Sequence, residues 1–340
     1  MQTTILDTSI SRTVPPTHQR ARDPTTIAVT RIQAAALAGA RAYFDKQAWV
    51  EIPTPHLTRA TGACENIDTM YEVEHKGKAF LSQTGQLYLE SMLQKGMEGV
   101  WTMGPSFRKE EKDDGRHSSE FTLIEFEHHG DFDLLLEHIE GTILSMINHC
   151  LTHAHDDLHI AGANIPMLQS LIKKSRQPGF TGFKKHTYAD IIKTHGLPWG
   201  ADIPSSIEKN VVSDGFPAFI TRYPTEIKFF NMRNHPEDST IVNSADLIVP
   251  HGGEAVGSAE RIIDPAMLKE KLATSAMMKQ LNKKEVGIDA FSWYIDCVEH
   301  NKPELHSGCG IGLGRVMQYI LACDDIRQTS PFPVTPDNIE

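Results

Sequence analysis

The stretch GPSFRKEEKDDGRHSSEFTLIEFE, residues 104–127, places a densely charged segment directly before an alternating one. Residues 108–117 carry enough charge to form a solvated loop, whereas residues 121–127 alternate apolar and polar side chains as a half-buried strand does. Another strand is predicted just before the loop, over 99–103. The sequence therefore predicts two strands joined by a polar loop, with many charges fixed where the second strand begins.

Several other predicted strands also follow one another without an intervening helix, which favours an antiparallel sheet in an α+β fold with flanking helices. The strands are predicted over 70–74, 78–82, 99–103, 121–127, 218–221, 227–232 and 244–249. The helices are predicted over 86–95, 133–154, 188–194, 265–278 and 314–322. The run WVEIPTPHL, residues 49–57, contains Pro53 and Pro55 and is typical of an extended sheet edge or interface strand.

The chain is predicted to contain one catalytic domain, residues 27–340, after an N-terminal arm or disordered tail, residues 1–26. Pro24 and Thr25 provide a helix start, and apolar residues from Val29 onward fall on one face of that helix.

Composition excludes several classes of protein. Lys+Arg total 33 against 44 Asp+Glu, a net charge of −11, which argues against a DNA-binding protein because phosphate binding requires a positive field. The five cysteines are scattered without a CxxC pair, so neither a disulfide framework nor a zinc module is predicted. No export leader and no membrane-spanning run is recognisable, and a soluble, cytoplasmic protein is expected.

The charged loop contains the groups that a nucleotide requires. Arg108, Arg116 and His117 suit phosphate oxygens, Glu110 offers an acceptor to the adenine amino group, and Phe121 offers a ring for stacking. A charged hairpin alone is more often a solvated turn, so this hypothesis depends on further motifs.

Two further stretches supply them. In NSADLIVPHGGEAVGSAER, residues 243–261, Asp246 and Glu254 flank a glycine turn, and two carboxylates brought together suit Mg²⁺. In HSGCGIGLGRVMQYI, residues 306–320, Arg315 lies in the first turn of a predicted helix, which is a favourable phosphate site.

These blocks, in this order, resemble the signature motifs of class II aminoacyl-tRNA synthetases: EIPTP (51–55), FRKE with RHSSEF (107–121) and GIGLGR (310–315). The similarity extends over nearly the whole chain from residue 27. Four further blocks are similar to the asparaginyl and aspartyl branch, above all to asparaginyl-tRNA synthetases: LSQTGQLYLE (81–90), YPTEIKFFNM (223–232), ADLIVPHGGE (245–254) and IRQTSPFPVTP (326–336).

The resemblance implies ATP and Mg²⁺ as the cofactors and assigns a role to each matching residue. Arg108 would hold the α-phosphate and the reacting carboxylate, and Glu110 with Phe121 would hold adenine. The outer phosphates would contact His117 and Arg315. The magnesium ligands would be Asp246 and Glu254.

The resemblance also implies an amino-acid site. Glu65 and Gln83 would bind the α-amino group, Arg261 would grip the side-chain oxygen, and Glu90 matches an acid that senses asparagine. Glu260 stands where the tRNA enzymes usually have Gln, as it does in the archaeal asparagine synthetase-related protein. This suggests that Glu260 binds or deprotonates an amine or ammonia, although an ion pair with Arg261 explains it as well.

The expected activity is an ATP-dependent, AMP-forming ligase that adenylates aspartate or asparagine and passes the acyl group to an amine or ammonia. Residues 1–26 are too few for the OB-fold that reads the anticodon in the asparaginyl enzymes, so tRNA is a less favoured acceptor. The alternatives are an asparaginyl-tRNA synthetase paralogue that charges tRNA and a non-catalytic regulator that binds an amino acid or nucleotide. The first motif forms dimers in this family, so a homodimer is expected.

Overall fold

A computed structural model describes the chain over residues 14–59, 67–93 and 96–339. Within these residues the strands are β1 (Val50–Glu51), β2 (Leu57–Thr58), β3 (Glu72–His75), β4 (Gly77–Leu81), β5 (Gly99–Phe107), β6 (Glu120–His129), β7 (Lys184–Thr187), β8 (Ala218–Thr221), β9 (Asn234–His235), β10 (Asp238–Val242), β11 (Ser244–Val249), β12 (Gly253–Glu260) and β13 (His306–Gly312). The helices are α1 (Thr17–Arg20), α2 (Pro24–Lys46), α3 (Gln86–Met92), α4 (Phe132–His153), α5 (His155–Ile160), α6 (Ile165–Ser175), α7 (Tyr188–His195), α8 (Ser205–Val211), α9 (Pro265–Thr274), α10 (Ala276–Lys283), α11 (Ser292–Asn301) and α12 (Leu313–Leu321). Short 3₁₀ turns occur at Ile67–Thr69, Thr225–Ile227, Ile288–Phe291 and Ile326–Thr329.

An eight-stranded sheet forms the centre of the molecule, with the strand order β1-β5-β6-β13-β12-β11-β8-β7. The six inner strands pair antiparallel, while β1 and β7 add parallel to the two edges. The predicted α+β class, an antiparallel sheet flanked by helices, is therefore confirmed. The predicted position of residues 49–57 is also confirmed, because β1 is an edge strand.

Strands β5 and β6 form the predicted hairpin, paired from Gly99 opposite His128 to Phe107 opposite Glu120. The two faces of β6 have different surroundings because successive side chains of a strand point to opposite sides. Ile124 and Phe126 lie in the hydrophobic core. Residues Phe121, Leu123 and Glu125 line a cleft on the other face.

Helices α2 and α4 cover the core face of the sheet. Helix α2 begins as predicted at Pro24, after Asp23 accepts a hydrogen bond from the Thr26 N–H at 2.7 Å. The helices approach so closely that a Cβ atom on Gly39 would lie 2.7 Å from the Cα atom of Met146. This backbone contact requires glycine at position 39.

Two of the predicted elements differ from the structure. Residues 227–232 were expected to form a strand, but the chain there makes a 3₁₀ turn and then irregular backbone. The helix expected over 265–278 is divided into α9 and α10, because Ser275 adopts an extended conformation and its side chain caps α10 by accepting from the Met278 N–H.

Half of the predicted arm (residues 1–26), namely residues 1–13, lies outside the described residues. In its described part, residues 14–26, the chain forms α1 and begins α2. Across the described ranges, no helix combines the length and apolar character that crossing a membrane requires.

The buried His128 of β6 predicts a loss of stability in acid. Burial and, to a smaller extent, the neighbouring His138 lower the pKa of His128 to about 3. An unfolded histidine binds its proton near pH 6.5, so stability is full above that pH and falls as the pH approaches 3. We expect His128 to account for about 2 kcal/mol of the unfolding free energy lost between pH 8 and pH 5.

Urea unfolding of the wild type and of His128→Phe at both pH values measures this loss. The exposed His195, changed to Gln, provides the control and should retain the wild-type pH dependence. An equal loss in His128→Phe and in the wild type would show that His128 is not responsible.

Candidate active site

A cleft of about 300 Å³ lies on the face of the sheet opposite α2 and α4. The loop between β5 and β6, strand β12 and the first turn of α12 all contribute side chains to it. The structure brings the following predicted residues to its wall: Gln83, Arg108, Glu110, His117, Phe121, Asp246, Glu254, Arg261 and Arg315. Groups predicted from separate motifs therefore share a single site.

Arg108 lies at the inner end of the charged loop. Its backbone N–H donates to the Ser119 carbonyl at 2.8 Å, which joins the two sides of the loop. The guanidinium carbon lies 5.3 Å from the centre of the Phe121 ring. The Nε atom is buried and makes no hydrogen bond within the described residues. Because an unmet buried donor is costly, this guanidinium is suited to an anionic oxygen of a ligand.

The acidic residues of the loop hold it in shape. Asp114 accepts hydrogen bonds from the backbone N–H groups of Arg116 and His117 at 2.8 and 3.0 Å. Its burial raises the pKa, but these bonds and the His117 side chain outweigh burial and lower it. Asp113 binds Arg327 at 3.1 Å and Thr335 at 2.8 Å. The dense charge of residues 110–117 thus orders the loop, which keeps His117 at the cleft.

The opposite end of the cleft is electropositive. Arg315 lies in the first turn of α12 and donates through Nη1 to the Gly252 carbonyl at 2.6 Å. A Cβ atom on Gly252 would lie 2.5 Å from the Arg315 carbonyl oxygen, so this close approach requires glycine. Burial lowers the pKa of Arg315, and Arg116 and Arg108 lower it further although Glu254 opposes them. A guanidinium remains charged under such conditions, so this end suits phosphates.

The two predicted metal ligands converge on Gly257. A Cβ atom built there would lie 3.4 Å from Glu254 Oε1 and 4.0 Å from Asp246 Oδ1. No group of three or more potential metal ligands occurs in the described part of the chain. Two carboxylates nevertheless fit Mg²⁺, which takes its remaining oxygens from phosphates and water. Asp246 and Glu254 would hold the ion, which supplies positive charge to the phosphates when bound.

A buried ionic network lies behind Arg261 at the wall of the cleft. Arg261, 2% exposed, donates through Nη2 to Glu127 at 2.7 Å and through Nε to the same carboxylate at 3.2 Å. Its Nε also lies 3.7 Å from Glu90. The side chains of Glu90 and Glu127 are 2% and 0% exposed. One guanidinium therefore serves two buried carboxylates.

Glu90 is fixed by neighbours from several elements. It accepts hydrogen bonds from Tyr294 at 2.6 Å, from Asn231 at 2.8 Å and from Gln86 at 3.0 Å. His306 Nε2 lies 3.6 Å away. Gln83, which also lines the cleft, donates through Nε2 to Thr69 at 3.1 Å.

The two carboxylates differ in proton affinity. Burial is the main cause that raises the pKa of Glu127, and Glu90 adds to the rise while Arg261 opposes it. Together they bring this pKa to about 7. Burial also raises the pKa of Glu90, but His306 and Arg261 outweigh that effect and lower it. Glu90 therefore stays ionised at neutral pH, while Glu127 has a higher proton affinity than an ordinary carboxylate.

Several residues of this site were missed from the sequence: Lys228, Glu127, Asn231, Tyr294 and His306. Glu127 had a recognisable signal, because it continues the cleft-facing alternation of Phe121, Leu123 and Glu125. Lys228 fell in a segment that was wrongly predicted as a strand. Tyr294 and His306 gave no local signal.

The structure does not bring Glu260 into the cleft. Adjacent residues of a strand point to opposite faces, so Glu260 faces away from the side that Arg261 occupies. Its carboxylate accepts from Arg233 at 2.9 Å, Asn243 at 3.2 Å and the Phe132 N–H at 3.0 Å. The predicted acceptor-binding role is corrected accordingly, as is the alternative of an ion pair with Arg261. Glu65 lies outside the described residues.

The antiparallel order of the inner strands separates this sheet from parallel nucleotide-binding folds, and the cleft offers guanidinium groups instead of a glycine-rich phosphate loop. Both properties are those of the class II aminoacyl-tRNA synthetases. Residues 16–336 match the model of the tRNA synthetases class II (D, K and N), and the chain belongs to this family. It is accordingly a ligase that uses ATP and Mg²⁺ to form an aminoacyl-adenylate.

Individual relatives fall in the asparaginyl branch. The asparagine–tRNA ligase of Desulforamulus reducens is 33% identical over 323 residues, which cover 93% of this chain and 71% of the relative. Asparaginyl-tRNA synthetase from Pyrococcus horikoshii, complexed with asparaginyl-adenylate, superposes with a TM-score of 0.82 at 28% identity, covering 95% of this chain and 72% of that chain. The Entamoeba histolytica asparaginyl enzyme, also with asparaginyl-adenylate, gives 0.76 at 25% identity, with coverages of 93% and 68%.

Proposed function

We propose that this chain activates asparagine as asparaginyl-adenylate. The observation that supports this most directly is the buried network at the end of the cleft. Arg261 is already compensated by Glu90 and Glu127, so an aspartate side chain would add a third carboxylate to a buried group. A neutral amide would instead accept from Arg261 and donate to Glu90. Asparagine therefore fits the network better than aspartate.

The residues around the cleft would carry adenylation by position and charge. The substrate carboxylate is anionic at pH 7, so it attacks the α-phosphate without a general base. Arg108 would neutralise charge at the α-phosphate, and Arg315 with His117 would hold the pyrophosphate that leaves. Glu110 and Phe121 would hold adenine. The catalytic contribution is thus positioning and electrostatic stabilisation.

We propose tRNA as the acyl acceptor, in place of the amine or ammonia expected from the sequence. An asparagine–tRNA ligase that is 33% identical matches 93% of this chain, and Glu260 is buried on the other face of its strand. A terminal ribose hydroxyl of tRNA would attack the acyl carbon, an ester would form, and AMP would leave with the anhydride oxygen. The proton of the hydroxyl would pass to solvent or to a phosphate oxygen.

We also propose a homodimer formed along the β1 edge of the sheet. Val50 on this edge is 45% exposed, as is Leu57 of β2, which belongs to the three-stranded sheet β2-β4-β3. Apolar side chains at this exposed edge suit contact with a second copy of the chain.

Pyrophosphate exchange with each amino acid tests the proposed substrate. We expect asparagine to exceed aspartate in kcat/KM by on the order of a hundredfold, because about 3 kcal/mol is the scale for burying an uncompensated charge. Glu90→Gln should reduce this preference, since it removes one of the two competing carboxylates. The exposed Glu285→Gln provides a control with unchanged selectivity.

The acceptor is tested separately by mass spectrometry of products formed with tRNA, ammonia or amines. Asparagine attached to tRNA through an ester would support the proposal. Exchange with aspartate alone, together with AMP release that depends on ammonia, would overturn it in favour of an amide ligase.

A further inference from the structure

Lys228 lies inside the cleft, directly beside a predicted metal ligand. Its ammonium nitrogen lies 3.0 and 2.9 Å from the two carboxylate oxygens of Asp246. The two side chains are 8% and 6% exposed. The same nitrogen lies 4.0 Å from the centre of the Tyr223 ring. Both oxygens of Asp246 are therefore bound by a buried cation.

This ion pair has a consequence for metal binding. A magnesium ion requires ligand oxygens at about 2.0–2.1 Å and loses its own waters reluctantly. An ammonium that already binds both oxygens of Asp246 competes for the same negative charge, and the Tyr223 ring stabilises the ammonium there. A free ion that enters the cleft must displace this ammonium, and it gains the two predicted carboxylates as protein ligands. An ion that arrives on a triphosphate brings further oxygen ligands with it.

We propose that Lys228 occupies the cation position beside Asp246 and so makes magnesium entry depend on ATP. Lys228 is a positioning residue in this scheme: its ammonium holds both oxygens of Asp246 in place before ATP binds. The ATP-bound ion then replaces the ammonium at that carboxylate. The ion pair and the two carboxylates are present whichever amino acid and acceptor the protein uses.

Binding of Mn²⁺ alone, measured by electron paramagnetic resonance or calorimetry without ATP, tests the proposal. We expect Lys228→Met to bind Mn²⁺ at least tenfold more tightly than the wild type. Lys228→Arg retains the charge and should bind as weakly as the wild type. Lys271→Met is the matched control, because that half-buried lysine bonds to the Met232 carbonyl and Asn234 and not to Asp246.

Two further measurements fix the location and the order of binding. The double variant Lys228→Met/Asp246→Asn should lose the gain in Mn²⁺ affinity. With a non-hydrolysable ATP analogue present, the wild type should bind Mn²⁺ as tightly as Lys228→Met within about threefold. Circular dichroism checks the fold of each variant, and Lys228→Gln replaces Lys228→Met if the latter unfolds.

Equal Mn²⁺ affinities of the wild type and the neutral variants without ATP would overturn the proposal. Tight binding that survives Asp246→Asn would also overturn it, because the ion would then lie elsewhere. Failure of asparagine activation in the exchange assay would leave these binding results unaffected, so the two proposals fail separately.

Discussion

Replacing Arg108 by alanine is expected to lower asparagine-dependent pyrophosphate exchange by on the order of a hundredfold, about 3 kcal/mol in the activation barrier. The guanidinium lines the cleft, and its Nε is a buried donor without a partner in the described residues. Charge that develops on the α-phosphate in the transition state would meet this donor. Since Arg108 makes no ion pair with the described residues whose loss would leave a buried carboxylate, the fold should remain intact.

Steady-state exchange and circular dichroism measure the two effects on the same sample. The control is Arg31→Ala, which removes an arginine that is 67% exposed and pairs with Asp157 at 3.3 Å. That variant should keep wild-type exchange. Near-normal exchange in a folded Arg108→Ala protein would show that the cleft does not act on the α-phosphate through this residue.

Arg261→Met is expected to cost roughly 3–5 kcal/mol of unfolding free energy, the scale for removing one partner of a buried ion pair. The change leaves Glu90 and Glu127 buried together without their shared guanidinium. Methionine retains much of the volume, so the loss reports charge rather than a cavity. Urea unfolding at pH 8 measures it.

Two variants define how this result is interpreted. Adding Glu127→Gln to Arg261→Met should recover part of the lost stability, because one of the two unpaired charges is removed. Arg31→Ala breaks a surface pair and should change stability by less than about 1 kcal/mol. A loss below about 1 kcal/mol in Arg261→Met, or no recovery in the double variant, would contradict the electrostatic account of the network.

Elements with strong local signals were predictable from the sequence. Helix α2 has a capping aspartate, a proline at its start and an apolar face, and it begins at the expected residue. Strands β8 and β11 have the predicted bounds because short runs of buried residues end at polar ones. The incorrect prediction of a strand over residues 227–232 has a physical cause. Residues 227–232 are as apolar as a strand, but they pass over the cleft and place Lys228 against Asp246.

The nucleotide end of the site was predictable because each of its groups belongs to one short unit. Arg108, Glu110, His117 and Phe121 lie on a single hairpin, and Asp246 with Glu254 lie on another. Local chain geometry alone brings such residues together. The roles proposed for them are those that the resemblance to the class II synthetases implies.

The charge balance around Arg261 was decided by the tertiary structure. Its ionic network joins four elements and the residue after a fifth: Glu90 of α3, Glu127 of β6, Tyr294 of α11, His306 of β13 and Arg261 directly after β12. Their charge balance exists only when the sheet and its covering helices are assembled. Glu260 is the last residue of β12 and Arg261 is the next residue. Their side chains face opposite sides of the sheet, because neighbouring residues of an extended chain do so. The sequence predicted the groups of the nucleotide site, and the packing of distant strands assembled the ionic network on which the proposed preference for asparagine depends.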